Sequence, residues 1–189
     1  MKFNLSEISG LIQSRRTITP EHYTARKVHK EQIEKMLQNA VWAPNHKLTQ
    51  PWRFHVYLEE GMDILRENLP LLMPEDQPVK RERIASRLNN TTAVIAVCVE
   101  ASEKAALHEE EYAVACAIQN IMLTATAYGI GSFWATPGFT RTEKFNETLN
   151  LPAQQRCMGL VYLGYVEGEW PSNHRKPLEY VTEWNSTKK

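Results

Sequence analysis

The sequence predicts an α+β protein, a sheet with helices packed on it. Two observations carry the prediction. The order of elements along the chain reads helix, helix, strand, helices, strand, long helix, strand, helix, strand. Strands that do not alternate regularly with single helices argue against a doubly wound nucleotide-binding fold. The chain has 189 residues, 42% hydrophobic and 23% charged, which suits one globular domain over 1–189, or at most two small ones, with enough core to need no disulfide or metal staple.

Each element has its own warrant. Asn4 followed by Glu7 resembles a capping box, and Leu5, Ile8, Leu11 and Ile12 form one apolar face, so 5–14 reads as a helix ending in Arg15-Arg16. Ile33, Met36, Leu37, Ala40 and Val41 repeat at helical spacing, and Pro44 stops that helix. Residues 52–58, WRFHVYL, alternate as a half-buried strand, and Glu60-Gly61 turns the chain. The charged stretch 62–92 holds Pro70, Pro74 and Pro78 and reads as one or two short helices around a mobile loop.

Residues 93–99 are an apolar, β-branched run, a strand covered on both faces. A long helix follows at about 109–128, capped by Gly129 and apolar on most sides, so it is expected at the centre of the fold or at a subunit interface. Ser132–Thr136 is a short strand, 142–149 a short helix and 157–166 another apolar strand. The tail 167–189 has no period but carries Trp170, Leu178, Tyr180, Val181 and Trp184. So many large side chains are rare in a disordered tail, so it is expected to pack, on this chain or a partner.

Several function classes drop out. Lys+Arg and Asp+Glu number 22 each, so the chain lacks the basic balance of a nucleic-acid or polybasic membrane-surface binder. The most apolar stretch, 112–130, has Gln119 and Asn120 at its middle and reads as a buried helix, not a membrane span. Asn4, Ser6 and Glu7 interrupt any signal-peptide core. The cysteines at 98, 116 and 157 lack CxxC spacing, which with the missing signal points to a cytoplasmic, reducing location. Cys98 and Cys116 sit in apolar runs, where cysteine behaves as a small inert hydrophobe. The six histidines make no metal-ligand pattern. There is no GxSxG elbow and no Walker loop, and Gly129-Ile-Gly131 follows a helix and lacks the third glycine of a dinucleotide fingerprint.

Three segments remain, and together they suit an anionic aromatic ligand. Arg15, Arg16 and Thr17 can hold a phosphate by charge-assisted bonds, or the two cations can simply complement a helix dipole. The stretch 43–52 encloses Asn45, His46, Lys47, Thr49 and Gln50 between two prolines beside Trp52, either a set of fixed donors or a solvated connection. The stretch 129–138, GIGSFWATPG, lets backbone approach a flat ligand with Trp134 alongside, or is a tight turn with a core Trp.

With these residues in view, the chain resembles the FMN-dependent nitroreductase family, of the short bacterial type. The resemblance runs through nearly the whole chain: Arg15-Arg16-Thr17, APNHKLTQPWRF at 43–54, the Ala-rich helix ending YGIGSFW, the strand MGLVYLGYV, and Arg175-Lys-Pro-Leu-Glu179. It implies a mainly antiparallel sheet in an intertwined homodimer that binds FMN. It implies that Arg15, Arg16 and Arg175 hold the phosphate end, with Thr17 where serine is usual. It carries the loop that reaches the flavin from the other subunit to His46, Gln50 and Asn45, and the backbone along the flavin ring to Trp134, Ala135 and Thr136. The implied reaction takes hydride from NADH or NADPH to a small aromatic acceptor such as a nitro compound or quinone, by a ping-pong mechanism with no catalytic side chain. A flavin-binding redox sensor, or a flavin or enone reductase on the same fold, is the alternative. The chain departs from the family at Thr19, where many members carry a basic residue, and in a shorter 62–92 segment.

Overall fold

The computed structural model describes residues 3–172 and 174–185. Residue 173 and residues 186–189 of the expected tail lie outside them. Four strands form one sheet in the order β1-β2-β4-β3, with β1 Trp52–Leu58, β2 Ala93–Glu100, β3 Ile130–Ala135 and β4 Gln155–Tyr165. Every neighbouring pair in it is antiparallel. The helices are α1 Leu5–Ser14, α2 Lys30–Ala40, α3 Gly61–Asn68, α4 Pro78–Asn89, α5 Leu107–Ala127 and α6 Glu143–Thr148.

The sheet is covered on both faces because its central strands alternate apolar residues to both sides. On one face Ile95, Val97, Val161 and Leu163 pack with α2 and α5 through Ile33, Met36, Val114, Ile118 and Ile121. On the other, Val94, Ala96, Leu160 and Tyr162 pack with Met62, Leu65, Leu88 and Phe145. The expected central helix is therefore central. Asn120 inside it donates its amide to the Asn39 carbonyl, and Asn39 donates its own to Thr124, which tie α2 to α5. The buried Glu110 accepts both the backbone N–H and the hydroxyl of Ser102 at 2.9 Å and so closes the turn into α5. Among the described residues no helix is long and apolar enough to cross a membrane.

The 62–92 segment is two helices joined by a turn in which Leu69 and Pro70 are buried. α2 begins at Lys30, earlier than its apolar period showed, because Gln32 reaches back to accept the His29 N–H. Gly129 ends α5 with φ +70°, as a helix-terminating glycine does.

Two faces lack the cover their sequence led one to expect. α1 buries no residue, and its Leu5, Ile8 and Ile12 are exposed. Cys116, within an apolar run of α5, lies exposed on the outer side of that helix with Tyr112. The far part of the aromatic tail likewise does not pack on its own chain: Leu178, Tyr180, Val181 and Trp184 are all exposed, whereas Trp170 is half-buried.

Candidate active site

The basic segment is positioned by both of its flanks. Asn4 caps α1 by accepting the N–H groups of Ser6 and Glu7, and the helix ends at Arg15. The chain then straightens beside β3, where Thr17 bridges Ser132 in parallel and the Ile18 N–H donates to the Ser132 carbonyl at 3.0 Å. Tyr23 fastens this stretch: its hydroxyl donates towards the carbonyls of Ile18 at 2.8 Å and Tyr162 at 3.1 Å. Its ring lies in a slot over Gly131 and Gly164, where a Cβ on Gly164 would come within 2.3 Å of the ring.

Held this way, Arg15 and Arg16 meet Arg175 around a cavity of about 540 Å³ lined also by Ile12 and Gln13. None of the five lining residues is acidic. Arg16 is partly committed: its Nε donates to the Pro171 carbonyl at 2.8 Å and its Nη1 to the carbonyls of Gln13 and Arg15, so it straps the tail to the end of α1. Burial and then the positive fields of Arg175 and Arg16 depress the pKa of Arg15. Three guanidiniums gathered this closely favour a bound anion, which relieves their mutual repulsion.

The 43–52 loop is shaped by its own backbone. Lys47, Leu48 and Gln50 adopt left-handed φ of 48°, 53° and 49°. Such a cluster without glycine is costly and is kept only where the surroundings enforce it. Asn45 enforces part of it by accepting the Gln50 N–H at 3.0 Å while donating to the Ala43 carbonyl. His46 Nδ1 lies 3.9 Å from the Glu109 carboxylate at the start of α5. Two hydroxyls in the candidate segments, on Thr49 and Ser132, are buried with no hydrogen-bond partner among the described residues.

Trp134 and Ala135 end β3, and Thr136 follows. Trp134 packs against the α5-side core and donates its indole N–H to the Met158 carbonyl at 3.1 Å. Thr136 opens onto a second cavity of about 310 Å³ lined by Glu111, Thr140, Arg141, Arg156, Cys157 and Met158, where Arg156 pairs with Glu111.

The fold thus brings together Arg15, Arg16 and Arg175, with Thr17 beside them. It does not bring Asn45, His46 and Gln50 to them within one chain. The loop enters the sheet at Trp52, opposite Val99, the end at which β3 finishes at Ala135. Arg15 and Arg16 precede the Thr17–Ser132 bridge, which puts them towards the Ile130 end. The sequence reading missed Tyr23, Arg141 and Arg156. Gly159 and Gly164 inside an apolar strand were the available signal, since glycine there marks close approach of other groups.

The nitroreductase family model matches residues 12–165. The Escherichia coli K12 protein named "Putative NAD(P)H nitroreductase YdjA" is 29% identical over 159 residues, covering 80% of this chain and 86% of that protein. A nitroreductase-like family protein from Bacillus cereus has a crystal structure similar to this fold, with a TM-score of 0.87, 28% identity, and coverage of 99% of this chain and 100% of that one. A protein from Desulfovibrio desulfuricans, crystallised in complex with FMN, shares the fold at a TM-score of 0.70 and 22% identity, over 97% of this chain and 98% of that one. A clamp of converging arginines at the end of α1, a four-stranded antiparallel sheet around a central α5, and a family match from α1 to the end of β4 agree: this chain belongs to the nitroreductase family.

Proposed function

We propose that the chain is a single-domain, homodimeric, FMN-dependent oxidoreductase that passes hydride from NADH or NADPH to nitroaromatic, quinone or similar oxidised acceptors. Family membership makes it a flavin oxidoreductase, and the observation that carries the finer reading is the cavity where Arg15, Arg16 and Arg175 converge. Its donor set fits the terminal phosphate of FMN: multiple charged N–H groups, no acidic lining residue, and an Arg15 whose pKa is lowered by burial and by its two cationic neighbours, a strain that an anion relieves. Bound FMN would supply reversible hydride acceptance, which no side chain of the protein can.

The protein's own part is to bind, orient and exclude. Arg15 and Arg175 hold the phosphate. Arg16 contributes charge and keeps the tail closed over it through Pro171. Thr17 adds a hydroxyl next to them. Trp134, Ala135 and Thr136 border the ring, with Trp134 acting through the backbone it fixes. Asn45, His46 and Gln50 act on the site of the partner subunit, because their own clamp lies towards the other end of the sheet. The exposed apolar faces of α1, α5 and the tail supply the surface for that partner. One accessible ring face serves nicotinamide and acceptor in turn, which gives ping-pong kinetics.

Purified protein reduced anaerobically by each nicotinamide, then mixed with a nitroaromatic and a quinone, tests the reading. Bleaching of the flavin absorbance by NADH or NADPH, its return on adding acceptor, and parallel double-reciprocal lines are expected. A bound flavin with negligible turnover would overturn the enzyme assignment in favour of a redox sensor. Intersecting lines would overturn the ping-pong order.

A further inference from the structure

The pair Cys98 and Cys157 faces across the two central strands, and a bulge is what makes it do so. In β2, Val94, Ala96 and Cys98 share one face and Ile95, Val97 and Val99 the other. In β4, Leu160 and Tyr162 share the first face, and Val161 and Leu163 the second. Simple alternation would send Cys157 to the side of Val161. The register instead passes from Val97↔Gly159 to Cys98↔Cys157 and leaves Met158 unpaired. That extra residue turns Cys157 to the face of Cys98.

Directly opposed antiparallel residues have Cα atoms about 4.5–5.5 Å apart, inside the roughly 4.4–6.8 Å span that a disulfide accepts. Both thiols are free, with Cys98 at 0% and Cys157 at 3% exposure. The contact between the two thiols, the largest influence on each, pushes the Cys98 pKa up and draws the Cys157 pKa down against the effect of burial, while Cys157 Sγ also donates to the Gly159 carbonyl at 3.5 Å. Cys157 also lines the small cavity that holds the Arg156–Glu111 pair, Arg141 and Thr136, the side from which a small polar molecule would reach it.

We propose that Cys98 and Cys157 form a peroxide-responsive dithiol, separate from hydride transfer, in which Cys157 is oxidised first and Cys98 resolves it. The Cys157 thiolate attacks one oxygen of hydrogen peroxide. The O–O bond breaks, hydroxide leaves and takes a proton to become water, and the sulfur is oxidised to a sulfenic acid. The Cys98 sulfur then displaces the sulfenic hydroxyl, which leaves as water with the Cys98 proton. The sum is two thiols and one peroxide to one disulfide and two waters. A dithiol reductant reverses it by exchange.

The test uses the protein as purified, carrying Cys116→Ala so that the exposed third thiol cannot interfere. It is treated with hydrogen peroxide, quenched with catalase while its circular dichroism is still native, then denatured, alkylated and mapped by mass spectrometry. The expected result is loss of both remaining thiols together and a linked Cys98–Cys157 peptide lighter by two hydrogens, restored by dithiothreitol. Cys98→Ser should leave Cys157 trappable by dimedone, whereas Cys157→Ser should leave Cys98 unoxidised. Both cysteines fully alkylated after peroxide, or Cys157 oxidised to sulfinic acid with Cys98 still free, would overturn the proposal. Because the peptide map is read on protein with both cysteines present, it holds even if either serine variant fails to fold.

Discussion

Trp134 donates its indole N–H to the Met158 carbonyl at 3.1 Å, across the space where Gly159 has no side chain. An ideal Cβ on Gly159 would lie 2.3 Å from the indole nitrogen, and the glycine holds φ +140°. Trp134 and Gly159 therefore fix the bulge together. Trp134→Phe should cost about 1–3 kcal/mol, since it leaves the bulged carbonyl unpaired. Gly159→Ala should cost about 3 kcal/mol or more, through backbone strain added to overpacking. Urea denaturation of the two variants checks the order, and a harmless Gly159→Ala would contradict it.

On the proposed reading, the arginine clamp should set cofactor affinity. Arg15→Ala and Arg175→Ala should each weaken FMN by about 2–3 kcal/mol, the worth of a charge-assisted bond. His46→Ala should weaken it less, because that change removes no phosphate charge. Fluorescence titration of the apoprotein with FMN measures all three, and tight binding by the double arginine variant would refute the clamp.

Glu21 gives the fold an acid-sensitive joint. Burial raises its pKa, but the hydrogen bonds from Thr19 and Arg87 outweigh that and bring the carboxyl from 4.5 to about 2. Its Oε1 sits 2.9 Å from Arg87 Nε, which ties α4 to the segment after Thr19. A carboxyl depressed in the folded state adds stability above its unfolded pKa and loses it as pH falls through the folded one. The contribution should be complete above about pH 4.5 and fade towards pH 2. Glu21→Gln should flatten the dependence of the denaturation midpoint on pH across that window, with little change at neutral pH beyond a constant offset.

α1 can be altered without touching its own chain's core, because it buries none of its residues. Ile8→Glu should leave the circular dichroism spectrum unchanged and shift sedimentation from dimer to monomer. Flavin should dissociate with the dimer if Asn45, His46 and Gln50 serve the partner's site. A monomeric Ile8→Glu that keeps its FMN would break that link.

Turnover should require no cysteine. Cys98→Ser, Cys116→Ala and Cys157→Ala combined should keep most of the NAD(P)H-linked activity in any fraction that folds. A folded, FMN-loaded triple variant without activity would place a thiol in the mechanism.

Strands and helices were legible where apolar period and turn chemistry agreed, as in the alternation at 52–58 and in Asn4 and Gly129 at helix ends. The bulge was not, because Met158 and Cys157 fit an apolar strand in either register, and only the opposed strand decides which faces inward. Of the clamp, Arg15 and Arg16 stand together in the sequence, while Arg175 is reached only through the family resemblance and is brought to them by the fold. The shape of the 43–52 loop left no composition signal. Left-handed backbone is ordinarily advertised by Gly or Asn, and here Lys47, Leu48 and Gln50 carry it. A run of apolar letters does not say which side of α5 lacks a neighbour, so the exposure of Cys116 was not legible.

Tyr23 gives a genetic corollary. Its ring needs the bare backbone of Gly164, and its hydroxyl steadies the stretch that presents Arg15 and Arg16. A Gly164→Ala allele would force the ring out of its slot and loosen the arginines from a strand far from them in sequence. Such an allele should be isolated as a colourless, cofactor-less protein, and a screen for flavin loss would recover it beside mutations in the arginines themselves.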